Sequence, residues 1–193
     1  MMRSLIRTIV FSALIAAVLL ACAGAYVVIV GVSARAQPGR LETVVAGAAR
    51  RLAIARHSSE MSNPVPGGDE AVSQGRAHFA DHCASCHAND GSGDTEMGRG
   101  LYPRAPDMRL PATQTLSDGE LFYIIENGIR FTGMPGWGTG TPAGEQDSWR
   151  LVHFIRHLPT LTPAEVEEME ALNPRSPEEV RQEIAAEEFL AGK

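Results

Sequence analysis

Cys83-Ala84-Ser85-Cys86-His87 places two thiols three residues apart and a histidine directly after the second. That spacing predicts covalent attachment of a c-type haem, because the two thiols can reach the two vinyl carbons along one porphyrin edge while the histidine falls beneath the iron. With 3 Cys and 6 His in 193 residues, the pattern arises by chance in about one such sequence in a thousand. A structural zinc site would need four ligands, usually as two paired knuckles, and the remaining cysteine, Cys22, lies far away in an apolar run. A thioredoxin-like redox pair would need a βαβ setting, whereas the segment before Cys83 reads as a helix and the one after it as a Gly-rich loop.

Working outward, the amino-terminal side carries 27 residues, Thr8 to Ala34, without a charge, between Arg3 and Arg7 on one side and Arg35 and Arg40 on the other. At about 1.5 Å per residue this is long enough to cross about 30 Å of hydrocarbon. One transmembrane helix is expected, in an anchor spanning residues 1–36. Ala34-Arg35-Ala36 has the look of a signal-peptidase site, but the apolar core before it is about twice the usual length. Leu19-Leu20-Ala21-Cys22 has the look of a lipoprotein box, but apolar Tyr26-Val27-Val28-Ile29-Val30 follows where such proteins turn polar. An uncleaved anchor is therefore the reading adopted, with Cys22 a buried, inert thiol. Basic residues leave the orientation ambiguous, since five arginines after the span outnumber the two before it.

Residues 37–68 read as a juxtamembrane helix and a Pro/Gly linker. Leu41, Val44, Val45, Ala48 and Leu52 recur at helical spacing, and another face carries Arg50, Arg51 and Arg56. This helix is either a solvated spacer or one lying on anionic headgroups. Ser62-Asn63-Pro64-Val65-Pro66-Gly67-Gly68 is expected to be flexible. Charge is split along the chain: residues 1–60 carry a net +5 and residues 61–193 a net −11. Nucleic acid is thus not an expected partner for residues 61–193.

Residues 69–160 resemble a class I cytochrome c. The likeness rests on C-x-x-C-H, on a helix from Asp69 to His82 with Gly75 and Phe79 four apart, and on a last helix from Ser148 to Leu158 with Leu151 and Phe154 three apart. In that family the first and last helices cross where the glycine allows close approach. A third helix is punctuated by the capping box Ser117-Asp118-Gly119-Glu120, an apolar face of Leu121, Phe122, Ile124 and Ile125, and a stop at Gly128. It leads into Phe131-Thr132-Gly133-Met134-Pro135-Gly136-Trp137-Gly138. Met134 lies 47 residues after His87, a separation typical of the family.

The resemblance implies an all-α fold of about 3–5 helices around one covalent haem c per chain. Cys83 and Cys86 would hold the haem, and His87 and Met134 would be the axial iron ligands. Met97 and Met108 follow the haem motif too closely to cross easily to its opposite face, and the other histidines are expected at the surface or edge. Family members use a proline carbonyl to hold the proximal histidine, and Pro103 and Pro106 are both candidates. Arg99, Arg104 and Trp137 are candidates for the haem propionates. No residue is assigned a catalytic role, and no small-molecule substrate is expected.

Residues 161–193 form an acidic tail with two capping signatures, Thr162-Pro163-Ala164-Glu165 and Ser176-Pro177-Glu178-Glu179. They are expected to form short helices, either a strap packing Met169, Leu172, Ile184, Phe189 and Leu190 onto the haem domain or a docking element. The resemblance as a whole implies a single-pass protein of the bacterial inner membrane with its haem domain in the periplasm, passing single electrons between membrane-bound or periplasmic redox proteins. The alternatives are a haem c subunit of a multisubunit oxidoreductase and, more remotely, a gas or redox sensor in which Met134 dissociates.

Overall fold

The computed structural model describes residues 2–175 and 177–190, and every regular element among them is helical. The chain forms two compact units, residues 1–36 and 37–193. The first is one helix, α1 (Met2–Val30), in which the 26-residue stretch Leu5–Val30 is long and apolar enough to cross a membrane and has no part buried by protein. At about 1.5 Å per residue it exceeds the roughly 30 Å a bilayer core demands. Cys22 is exposed on α1, so its expected burial has no source in the protein and would have to come from lipid.

In the second unit, α2 (Arg40–Ser58) precedes α3 (Asp69–His82) and the one-turn α4 (Ala84–His87). Two short helices, α5 (Glu96–Gly100) and α6 (Pro111–Gln114), lead to α7 (Asp118–Asn127) and α8 (Pro142–His157), and α9 (Pro163–Glu170) and α10 (Pro177–Leu190) complete the chain.

The crossing of α3 over α8 organises the core. A Cβ on Gly75 would overlap the Arg150 carbonyl and stand 3.0 Å from the Phe154 Cβ, so only glycine lets the two backbones approach this closely. One turn on, Phe79 and Phe154 are buried with ring centroids 5.1 Å apart. Burying each such side chain contributes about 1.5–3 kcal/mol. Leu151, Val152, Ile155 and Leu158 extend the same cluster.

The expected capping box is formed at α7, with Ser117 Oγ accepting from the Glu120 N–H and the Glu120 carboxylate accepting from the Ser117 N–H. Leu121, Phe122 and Ile125 are buried, and Phe122 stacks on Trp149 at 3.9 Å between centroids. Ile124 is only half-buried. Helix α8 begins six residues earlier than expected, at Pro142. Thr141 caps it by accepting from the Gly144 N–H, and proline suits the first helical position; this first turn is exposed and carries no apolar period. Arg156 ties α8 to its neighbours through Asp118 and the Gln114 carbonyl.

The linker is ordered, contrary to expectation. Asn63 donates to the Trp149 carbonyl (3.1 Å), and His153 Nε2 donates to the Val65 carbonyl (2.9 Å). Upstream, Ile54 and Ser58 of α2 are buried against α7. There Gly119 makes room for the Ser58 and Met61 carbonyls, which lie 2.8 and 2.6 Å from where a Cβ would be.

In the tail, the strap reading holds for α9. Met169 is fully buried, Arg76 pairs with Glu165 (3.3 Å) and Glu168 (2.8 Å), and the Thr162–Glu165 capping box is present. It fails for α10, where Val180, Ile184 and Phe189 are exposed, and Leu172 is exposed too. Charges ring α10 on most sides, leaving no continuous apolar face to bury. The expected Ser176 cap and the Leu190 side chain lie outside the described residues.

Candidate haem site

Cys83 ends α3 and begins α4. Its N–H donates to the Phe79 carbonyl (2.8 Å), while its own carbonyl accepts from the N–H groups of Cys86 (3.1 Å) and His87 (2.9 Å). One tight turn thereby carries both thiols and the histidine, and it stops at Ala88, which adopts a positive φ of 59°. Both thiols are half-buried and free of any disulfide. Burial, and then the neighbouring Cys86, push the Cys83 thiol up to about 12. A thiol held neutral in this way is a poor thiolate ligand or redox nucleophile. Among the described residues no cluster of three or more His, Cys, Asp or Glu side chains could hold a metal ion.

His87 sits against Phe79, with centroids 6.5 Å apart. Burial lowers its pKa and the Pro106 carbonyl acts in the opposite sense. Its Nδ1 is buried yet lacks a partner at full hydrogen-bond geometry. Burial thus favours the uncharged ring, with the Pro106 carbonyl the backbone acceptor set against it. This is the arrangement in which Nε2 is free to ligate while a backbone carbonyl fixes the tautomer. Of the two candidate prolines, Pro106 is the one facing the ring. The residues present thus fit a covalently held haem.

The loop carrying Pro106 is bolted to the haem motif. Gly93 donates to the His87 carbonyl (2.8 Å), Met108 to the Gly91 carbonyl (2.8 Å), and Thr95 Oγ1 to the Ser85 carbonyl (2.8 Å). Arg109 grips Asp107 through two bonds of 2.9 and 2.8 Å and reaches Asp90 at 2.8 Å. Its guanidinium holds the Asp107 carboxyl below the usual carboxylate range against a smaller opposing effect of burial. Neither Arg109 nor Asp90 stands out in the sequence, where each looks like an ordinary turn residue.

The Met134 loop is stitched to the end of α7. The Met134 carbonyl accepts from Ile129 (3.0 Å), its N–H donates to Thr132 Oγ1 (3.1 Å), and Trp137 and Gly138 donate to the carbonyls of Ile125 and Glu126. Gly128 turns the chain at φ 65°, where a Cβ would stand 2.5 Å from the Pro135 carbonyl carbon. Met134 is half-buried, Met97 is exposed, and Met108 is packed in the core. Trp137 stacks on His82, the residue before Cys83, so the loop closes back onto the haem motif.

Residues 70–155 match the family described as Cytochrome C oxidase, cbb3-type, subunit III. The domain is a monohaem class I cytochrome c. It carries covalently attached haem c, and its role is electron transfer through that haem. A search of curated proteins finds no match to the chain.

Other polar residues of the cytochrome c domain have structural occupations. His157 pairs with Glu165 (2.8 Å), His153 holds the linker, and His78 meets His82 edge-on at 4.8 Å. Burial, followed by the adjacent His82, lowers the His78 pKa. His57, in the juxtamembrane helix, stacks on Tyr123 at 5.4 Å. Among the propionate candidates, Arg99 is paired with Asp94 and Trp137 with His82, while Arg104 is exposed and makes no ion pair among the described residues.

Proposed function

We propose that this protein is a membrane-tethered, periplasmic electron carrier, in which Cys83 and Cys86 fasten the haem as thioethers and His87 and Met134 are its axial ligands. The observation that carries the reading is the buried His87 ring at the end of the α4 turn, its Nδ1 without a hydrogen-bond partner of its own and the Pro106 carbonyl set against the ring. The haem supplies a one-electron change at iron, and histidine–methionine ligation favours the reduced state. The chain's own part is to tether, orient and shield: Pro106 fixes the His87 tautomer, and the loop held by Gly128 and Thr132 presents the Met134 thioether. His87 and Met134 would both be held on the iron, which would leave no open position there for a substrate. Covalent haem attachment on the periplasmic side, as in bacterial class I cytochromes, sets α1 with its amino terminus in the cytoplasm.

The test is carbon monoxide addition to the dithionite-reduced, full-length holoprotein, with Met134→Ala as comparison. An unchanged visible spectrum in the wild type and a responsive variant are expected. Ready binding by the wild type would mean an open or labile sixth position and would overturn the carrier reading in favour of a sensor.

The family description favours a second reading, a haem c subunit of a multisubunit oxidoreductase. Stable co-purification with a second redox protein after mild solubilisation would support it, and migration as a lone chain would remove it.

A further inference from the structure

The juxtamembrane helix α2 has two faces with different fates. Ile54 and Ser58 are buried against α7, and His57 stacks on Tyr123. About a third of a turn away around the helix, Leu41, Val44, Val45 and Leu52 form a stripe exposed by 78, 64, 58 and 74 %. Arg50, Arg51 and Arg56 do not share the single face expected of them: helical spacing sets Arg40 and Arg51 along one border of that stripe and Arg56 along the other, and none of Arg40, Arg51 and Arg56 makes an ion pair among the described residues. Apolar side chains edged by arginines are the composition of a helix lying in a lipid interface.

Two further observations name the occupant. Helix α2 begins only ten residues after α1 ends at Val30, so a bilayer crossed by α1 lies within reach. The net positive balance lies in residues 1–60, at +5, whereas residues 61–193 carry a net −11 and would be repelled by anionic headgroups. We infer that α2 is an interfacial helix that binds an anionic lipid surface through Leu41, Val44, Val45 and Leu52 and, being docked on α7, holds the cytochrome c domain in a fixed orientation at the membrane.

The inference rests on α1 as a membrane span, and the experiment separates the two. Full-length holoprotein carrying Cys22→Ser receives a single spin label at Val45, Leu52, Glu42 or Leu14, and is placed in nanodiscs of phosphatidylglycerol with phosphatidylcholine or of phosphatidylcholine alone. Labels at 45 and 52 are expected to show an oxygen-to-nickel accessibility ratio about tenfold above that at 42, because an interfacial helix buries its apolar face about 5–10 Å deep. The contrast should shrink in the zwitterionic discs and in Arg40→Gln/Arg51→Gln/Arg56→Gln. Water-exposed labels at 45 and 52 with a lipid-embedded label at 14 would overturn the inference and leave the anchor standing. A wet label at 14 would overturn both. Labels shielded from both reagents would mean that protein, such as a second copy, covers the stripe. Embedding insensitive to lipid charge and to the arginines would overturn the anionic preference.

Discussion

The Trp137 indole lies parallel to the His82 imidazole, with centroids 5.3 Å apart and planes within 7°. Trp137 belongs to the loop that presents Met134, and His82 is the last residue of α3, directly before Cys83. The stack therefore joins the segment proposed to bear the sixth ligand to the segment proposed to bear the tether. An aromatic pair of this kind contributes about 0.5–1.5 kcal/mol beyond its buried area. Trp137→Ala should let the loop open more often, so that exogenous imidazole displaces the proposed ligand Met134 from the oxidised protein with an affinity about 2–10-fold higher. Trp137→Phe should restore most of the difference. Equal imidazole affinities in all three proteins would show that the stack does not guard the ligand.

Gly75 makes a second prediction. An alanine usually gains about 0.5–1 kcal/mol over glycine inside a helix. Here the added methyl would overlap the Arg150 carbonyl, a backbone atom that cannot swing aside. Overpacking at such a site costs about 1–3 kcal/mol, so Gly75→Ala should lower the urea midpoint of the holoprotein. A raised midpoint would mean that α3 and α8 are not held this closely.

Much of this architecture is legible in the chain because its signals are local. Cys83 to His87 is a contiguous motif, Gly75 and Phe79 share one helix face, and the Ser117–Glu120 box announces its own helix. What escaped reading depends on partners distant in sequence. The grip of Arg109 on Asp90 crosses a whole loop, and the docking of α2 depends on a glycine, Gly119, that looks only like part of a cap. The periodicity of α2 drew attention to its apolar stripe, whereas the contact with α7 is made by Ile54, Ser58 and His57 on another side. The reverse error occurs in α10, where a good capping signature precedes a helix with nothing to bury.

The contrast between α9 and α10 can be measured directly. Met169 is fully buried, and truncating such a side chain costs about 2–5 kcal/mol. Phe189 of α10 is 82 % exposed, so removing residues 177–193 should shift stability by less than about 0.5 kcal/mol. Chemical denaturation of Met169→Ala and of the truncated protein should therefore give a large and a negligible change. Similar losses in both would show that α10 packs on the domain.

Glu165 links this strap to pH. Burial opposes its charge, but the carboxylate accepts from the Thr162 N–H and hydroxyl and pairs with His157, and together these lower its pKa to about 2. A carboxyl depressed on folding stabilises the native state above its unfolded value, near the ordinary 4.5, and that contribution is lost as pH falls through the folded value. The wild type should therefore lose stability between about pH 4.5 and pH 2 more steeply than Glu165→Gln, which has no proton to take up there. Thermal midpoints of the two holoproteins, recorded at intervals from pH 6 to pH 2, should be furthest apart at the upper end and converge at the lower. Parallel curves would show that Glu165 does not hold α9 in place, and would shift that role to Arg76 and the buried Met169.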